Sequence, residues 1–278
     1  MDRYAVIGNP VEHSLSPRIH AAFAAQTGQE LEYGRLLAPL EGFVEVAGKF
    51  FAEGGRGLNV TVPFKAEAHA WMDELDPLAR MAGAVNTIKW EAGRRVGYNT
   101  DGLGLLRDLA VNQGETLRGA RILLIGAGGA ASGVVGPLLD AAPRELVVAN
   151  RTPARACELV ARFPDASARG DLRAAAYGEV QGSFDVVINA TSAGLAGSVA
   201  AVDPAVTAGA FCYDMSYGRS TAFCVWADMS GARRVADGIG MLVEQAAEAF
   251  RIWRGIRPHT APVLAALRAE RGDPAGAL

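Results

Sequence analysis

The sequence predicts two α/β domains in tandem, and three observations predict it. Short β-rich runs alternate with helical stretches of roughly 10–15 residues, the pattern of strand–helix–strand crossovers and parallel pairing. One strand-like run, RILLI, passes directly into a glycine-rich turn and a helix. The 278 residues also exceed the ~250 at which single hydrophobic cores stop growing.

In the first half the expected strands are 4–7, 31–37, 57–61, 85–90 and 95–98, with helices starting near Pro17, Leu40 and Pro63 and a further helix over 101–112. The polar run 113–119 reads as a connector. A sharper series follows: RILLIG as a buried strand, GGAASGVVGPLLDAA as a helix, ELVVAN as a strand, TPARACELVARF as a helix, then FDVVINA and AFCYDMS as strands. Beyond Gly240, apolar residues at Met241, Leu242, Ala246, Ala249, Phe250 and Trp253 give an amphipathic helix. The domains are expected over 1–103 and 104–238; by pattern alone, the helical segment 239–278 suits either one.

Composition removes several function classes. Half the residues are hydrophobic, so disorder is excluded. No run of about 18 apolar residues is present, so no membrane span is expected. A net charge of −3 gives no basic face for nucleic acid. Cys157, Cys212 and Cys224 form no CxxC pair, which suits a reducing, cytoplasmic compartment. The opening run MDRYAVIGNP shows no secretory h-region. Four histidines fall at no metal-ligand spacing, so no metal site is expected.

Gly126-Ala127-Gly128-Gly129-Ala130-Ala131 fits G-x-G-x-x-G/A in its required strand–turn–helix setting. The first glycine permits a tight turn and the second lets backbone approach a pyrophosphate, which sits at the positive helix end. This marks a Rossmann-type dinucleotide-binding domain. An NAD site wants a carboxylate at the end of the next strand. Here that strand ends in Asn150 and is followed by Arg151, Thr152 and, one turn on, Arg155. Arginine binds phosphate bidentately, so the expected cofactor is NADP(H).

The first domain carries a polar constellation. Ser14 and Ser16 precede Pro17; Ser16 reads as a helix N-cap, and the pair as a neutral carboxylate seat. Asn59 and Thr61 lie two apart on a strand face. Lys65 falls in the first turn of a helix opened by Pro63, where a cation opposes the dipole and a structural choice would be acidic. Only three of the 27 Lys and Arg residues are lysines. Asn86 interrupts an apolar strand, and a buried polar residue needs a partner. Asp101 follows Asn99 and Thr100 and answers a helix dipole.

Taken in order, IGNPVEHSLSP, LNVTVPFK, GAVNT, NTDG, IGAGGA, NRT, NATSAG and DGIGMLVEQAAEAF span nearly the whole chain. This set resembles the shikimate dehydrogenase family. The resemblance implies an N-terminal substrate domain, a Rossmann-type NADP domain, and C-terminal helices returning to the first domain. It implies reversible NADPH-dependent reduction of 3-dehydroshikimate, with Lys65 and Asp101 as the catalytic pair. Ser14, Ser16 and Tyr217 would hold the substrate carboxylate; Asn59, Thr61, Asn86, Asp101 and Gln245 would hold the ring hydroxyls. Gly126, Ala127, Gly128, Gly129 and Ala130 would hold the pyrophosphate, and Asn150, Arg151, Thr152 and Arg155 the 2′-phosphate. Thr191, Met215, Gly238 and Met241 would line the nicotinamide half. The chain departs from the family in having Ala222 after Thr221, where members often carry proline. Quinate and amino-substituted shikimates remain alternative substrates, a silent NADP sensor is the non-enzyme alternative, and the chain is expected as a monomer or homodimer.

Overall fold

The structure, a computed structural model, describes residues 1–191, 199–218 and 221–272. It divides into two compact units, Met1–Gly104 together with Leu242–Leu278, and Leu105–Met241.

The first unit runs β1 (Asp2–Gly8), α1 (Ser16–Thr27), β2 (Leu31–Leu37), α2 (Phe43–Ala52), β3 (Gly55–Val60), α3 (Lys65–Trp71), β4 (Glu74–Leu75), α4 (Pro77–Ala82), β5 (Thr87–Glu91), β6 (Arg94–Tyr98) and the start of α5 (Asp101–Arg107). Its sheet has the order β2-β1-β3-β5-β6-β4. β1 pairs parallel with β2 and β3, but β5 is antiparallel to both β3 and β6. The alternation pattern led us to expect parallel strands throughout. The β5–β6 reversal comes from Ala92-Gly93, both with positive φ (50° and 80°), while β5 reaches β3 by the longer path through α3, β4 and α4. Two residues suffice for an antiparallel hairpin, whereas a parallel return needs a crossover.

One face of this sheet buries Ala5, Ile7, Leu58 and Val60 against Phe43, Phe51 and Phe64. The other face carries Tyr4, which stacks on Trp253 with ring centroids 4.7 Å apart. Ser16 is the first residue of α1, and Leu15 stands at the N-cap with no side-chain hydrogen bond. The expected Ser16 cap is therefore replaced by Ser14, whose Oγ accepts from the Ser16 N–H at 3.3 Å.

The second unit contains β7 (Arg121–Ile125), α6 (Gly129–Asp140), β8 (Glu145–Asn150), α7 (Pro153–Val160), α8 (Pro164–Arg169), β9 (Leu172–Ala176), β10 (Val186–Asn189), β11 (Phe211–Asp214), α9 (Ala222–Met229) and β12 (Arg234–Ala236). The sheet order is β12-β11-β10-β7-β8-β9, and every pairing is parallel. This is the doubly wound order, with its reversal between β7 and β10, where ligands bind beyond the carboxyl ends of the strands. Two apolar clusters cover its faces.

The helix expected over 101–112 is α-helical only to Arg107; Asp108–Asn112 forms a π-helical turn. Asp108 is fully buried there and accepts from Tyr213 Oη at 2.5 Å. The chain finishes with α10 (Ile239–Arg254) and α11 (Ala261–Arg271), and from Leu242 onward these residues belong to the first unit. Among the described residues, no helix is long and apolar enough to cross a membrane.

Candidate active site

In the first unit, strand ends and helix starts deliver the polar residues. Lys65 is the first residue of α3, and its side chain is 19% exposed. Asp101 is the first residue of α5 and is buried. Lys65 Nζ donates to Asp101 Oδ2 at 2.5 Å. The amine stands against its own helix dipole, while the carboxylate stands with the dipole of α5. Asp101 therefore offsets the unfavourable placement of Lys65.

Asn86 is the hub of the network. The expected strand position is corrected: Asn86 lies in the bend just before β5, with its backbone N–H donated to the Tyr98 carbonyl at 3.0 Å and its carbonyl accepting from the Val60 N–H at 2.8 Å. Its Oδ1 accepts from the Thr100 N–H at 2.8 Å and from Thr87 Oγ1 at 3.0 Å. Its Nδ2 donates to Asp101 Oδ1 at 2.8 Å, Thr100 Oγ1 at 3.0 Å and Gln245 Oε1 at 3.3 Å. Both Asp101 oxygens are thus engaged, one by Lys65 and one by Asn86. Asn59 Nδ2 donates to Thr87 Oγ1 at 3.1 Å, and Tyr33 Oη donates to Asn59 Oδ1 at 2.7 Å.

Thr61 lies just past β3, half-buried, and a Cβ on Gly8 would stand 2.3 Å from its methyl. Ser16 is buried and Ser14 half-buried, and the Ser14 carbonyl accepts from Arg35 Nη2 at 2.7 Å. Lys65, Asn86, Asp101 and Gln245 thus form one connected network; Asn59 joins it through Thr87. Thr61 makes no side-chain link to it.

Two aromatic groups back this network. Burial drives the His20 pKa down to about 3, against the opposing effect of the Asn59 amide, so its imidazole is neutral. It stacks on Tyr33 at 4.2 Å with an interplanar angle of 7°. Burial also pushes the Tyr33 hydroxyl well up, which keeps it a donor.

In the second unit, Gly126 has a φ of +113°, and a Cβ there would lie 3.1 Å from the Ala190 carbonyl oxygen. Among the described residues, no atom beyond the chain neighbours and the helix's own backbone lies within 4 Å of a Cβ built on Gly128 or Gly129. α6 starts at Gly129 with no side-chain cap. Arg151, Thr152 and Arg155 are exposed, and Asn150 Nδ2 donates to the Thr152 carbonyl at 2.9 Å. Thr152 occupies the α7 N-cap position without a side-chain bond. No carboxylate sits at the end of β8. An open amide cradle followed by two free guanidinium groups fits a dinucleotide with a 2′-phosphate.

Thr191 Oγ1 donates to Asn189 Oδ1 at 2.7 Å, and the Met215 N–H to the Asn189 carbonyl at 2.9 Å. Gly238 admits no side chain, because a Cβ would meet the Met215 carbonyl oxygen at 2.3 Å. Met241 is buried, with its N–H donated to Tyr213 Oη at 3.3 Å. Tyr217 is 39% exposed and belongs to the second unit. Thr221 Oγ1 caps α9 by accepting from the Cys224 N–H at 3.2 Å, so that helix starts without proline at position 222. Arg219, Ser220 and the SAG of NATSAG fall outside the described residues.

A cavity of about 550 Å³ lies elsewhere, at Gln113–Ala120, Asp185, Arg233 and Arg234. It sits at the amino ends of β7, β10 and β12, the end opposite the glycine-rich turn. Among the described residues, no cluster of three His, Cys, Asp or Glu could hold a metal ion. The sequence reading gave no role to Tyr33, Arg35, Thr87 or Thr100. Thr100 lay inside a noted motif; Tyr33 and Arg35 carried no local signal.

Three family models match the chain: a shikimate dehydrogenase substrate-binding domain over residues 6–88, a shikimate/quinate 5-dehydrogenase domain over 108–243, and a shikimate 5′-dehydrogenase C-terminal domain over 238–268. A shikimate dehydrogenase (NADP(+)) of Alkalilimnicola ehrlichii is 58% identical over 97% of this chain and 99% of its own length. The crystal structure of an Ael1 enzyme from Pseudomonas putida superposes with a TM-score of 0.89 at 46% identity, covering 96% of this chain and 98% of that one. The Thermus thermophilus shikimate 5-dehydrogenase, solved with NADP(H) and shikimate, gives a TM-score of 0.83 at 34% identity, covering 97% of this chain and 99% of that one.

Proposed function

The chain belongs to the shikimate dehydrogenase family, and on that premise we propose how its residues divide the work of an NADP-dependent oxidoreductase. The reaction is the reversible reduction of 3-dehydroshikimate to shikimate. The observation that carries the assignment is the Lys65–Asp101 contact of 2.5 Å inside a network of amide and hydroxyl side chains.

Ser14 and Ser16, with Tyr217, take the substrate carboxylate. Asn59, Thr61, Asn86, Asp101 and Gln245 take the ring hydroxyls, for which a set of neutral donors and acceptors is suited. The N–H groups over 126–130 hold the pyrophosphate. Asn150, Arg151, Thr152 and Arg155 hold the 2′-phosphate, and Thr191, Met215, Gly238 and Met241 line the nicotinamide half. NADP(H), when bound, supplies or accepts the hydride.

Lys65 Nζ gives its proton to the oxygen of the carbonyl being reduced, where negative charge develops. In the oxidative direction it takes that proton back. Asp101 holds the amine in line through its Oδ2. Asn86 fixes Asp101 from the other side, so the carboxylate cannot rotate away from Lys65. Each chain carries the full set of residues, so a monomer or homodimer serves equally. The cysteines are unpaired, in keeping with work in the cytoplasm.

The test is NADPH absorbance measured with shikimate, quinate and amino-substituted shikimates, each with NADP⁺ and NAD⁺. Turnover of shikimate with NADP⁺ preferred is expected. A higher kcat/KM on quinate would reassign the substrate, and equal use of NAD⁺ would remove the 2′-phosphate role of Arg151. No turnover on any of the acids would leave the NADP-sensor reading.

A further inference from the structure

Strand β2 contributes nothing to the substrate set above, yet two of its side chains reach that set. Tyr33 and Arg35 lie two apart and so share a face. The register places Tyr33 opposite Tyr4, and both Arg35 and Asn59 opposite Val6. Tyr33 thus reaches across β1 to Asn59, donating to its Oδ1 at 2.7 Å. Arg35 clamps the Ser14 carbonyl with Nε and Nη2 at 3.3 and 2.7 Å.

We propose that Tyr33 and Arg35 are positioning residues for the substrate, acting through Asn59 and Ser14. This rests on the assignment of those two residues to the substrate. A carboxamide is nearly symmetric in shape, and only its partners decide which end is oxygen. By donating to Oδ1, Tyr33 fixes Asn59 with Nδ2 turned toward Thr87. Without that donor, Nδ2 keeps only the Thr87 hydroxyl at 3.1 Å and the long 3.4 Å bond to the Asn86 carbonyl, and the amide turns more readily to present the wrong end to a ring hydroxyl. The Tyr33 ring is itself held by the His20 stack. Arg35 adds the second hold, fixing the peptide that carries Ser14, and brings a positive charge behind a seat otherwise built from neutral hydroxyls.

Kinetics of the full chain with shikimate and NADP⁺ provide the test. Tyr33→Phe keeps the ring and its stack. It is expected to raise the KM for shikimate roughly fivefold to thirtyfold, the worth of one such hydrogen bond, with kcat within about threefold and the KM for NADP⁺ unmoved. A KM rise at kept kcat marks lost ground-state binding, whereas a purely structural role would lower the active fraction and leave KM alone. Added to Asn59→Ala, Tyr33→Phe should cost under about twofold more, since its effect runs through that amide. Arg35→Gln, at an exposed site that does not endanger folding, should raise the same KM roughly threefold to tenfold. An unchanged shikimate KM in Tyr33→Phe and Arg35→Gln, or full additivity of Tyr33→Phe with Asn59→Ala, overturns the proposal. Asn59→Ala and Ser14→Ala separate the two levels. If they leave the KM unmoved, the substrate assignment falls and this inference falls with it. If they raise it while the β2 variants are silent, only this inference falls.

Discussion

The two units prepare for their ligands in opposite ways. The first unit builds its site from side chains that hydrogen-bond one another: Asn86 alone engages Thr87, Thr100, Asp101 and Gln245. The second unit offers a turn without side chains, so that α6 starts at glycines with no side-chain cap. A side-chain network can distinguish hydroxyl positions on a small ring, but each member depends on the others. A backbone cradle reads only charge and shape, and it depends on nothing but the absence of a Cβ. The difference teaches where each site is fragile: the first in its partners, the second in its space.

The largest expected effect breaks the first side of this contrast. Lys65→Ala removes the proposed proton donor and should lower kcat about 10²- to 10⁴-fold, with binding of NADPH, measured by fluorescence titration, unchanged. A paired experiment on glycines sharpens the second side. Gly126→Ala forces a side chain into a φ of +113° beside the Ala190 carbonyl and should destabilise the chain by about 1–3 kcal/mol, seen in urea melts. Gly128→Ala meets, among the described residues, no atom within 4 Å beyond its chain neighbours and the helix's own backbone, so the melt should not move, while the KM for NADP⁺ rises roughly tenfold. If both variants shift the melt alike, Gly128 is there for the fold rather than for the dinucleotide.

A further expected effect is pH-dependent. His20 has its folded pKa depressed to about 3, from an ordinary value of 6.5. The unfolded chain binds a proton there that the folded chain refuses, so stability falls as pH drops from about 6.5 toward 3. The slope approaches about 1.4 kcal/mol per unit. The Gly126–Ala130 turn has no titratable side chain, so acid should loosen hydrogen-exchange protection in α1 and β2 before α6. His20→Phe should flatten that slope.

The same contrast explains what the sequence made legible. The cofactor turn is local: six consecutive residues after RILLI carry the whole signal. The substrate network is not local. Asn86 and Gln245 lie 159 positions apart, and no periodicity links them. Tyr33 was invisible because its role depends on register across β1. Among the secondary elements, β9 (LRAAA) and β12 (RVA) escaped notice because they are short, and alanine gives β9 little strand preference. Asn86 was read as a strand residue because apolar neighbours surround it, and Ser16 as a cap because Pro17 follows it. Propensity cannot tell one residue's offset at an element boundary.

The unit holding Lys65 is assembled from both ends of the chain, with Trp253 of α10 donating its indole N–H to the Ile88 carbonyl at 3.0 Å. The intervening unit, Leu105–Met241, is one continuous stretch. On a ribosome, therefore, the dinucleotide cradle is fully synthesised while the proton-transfer pair still lacks the helix that buttresses its sheet. Catalytic competence arrives with the final helices, and a prematurely terminated product would have a complete cradle but an unfinished substrate seat.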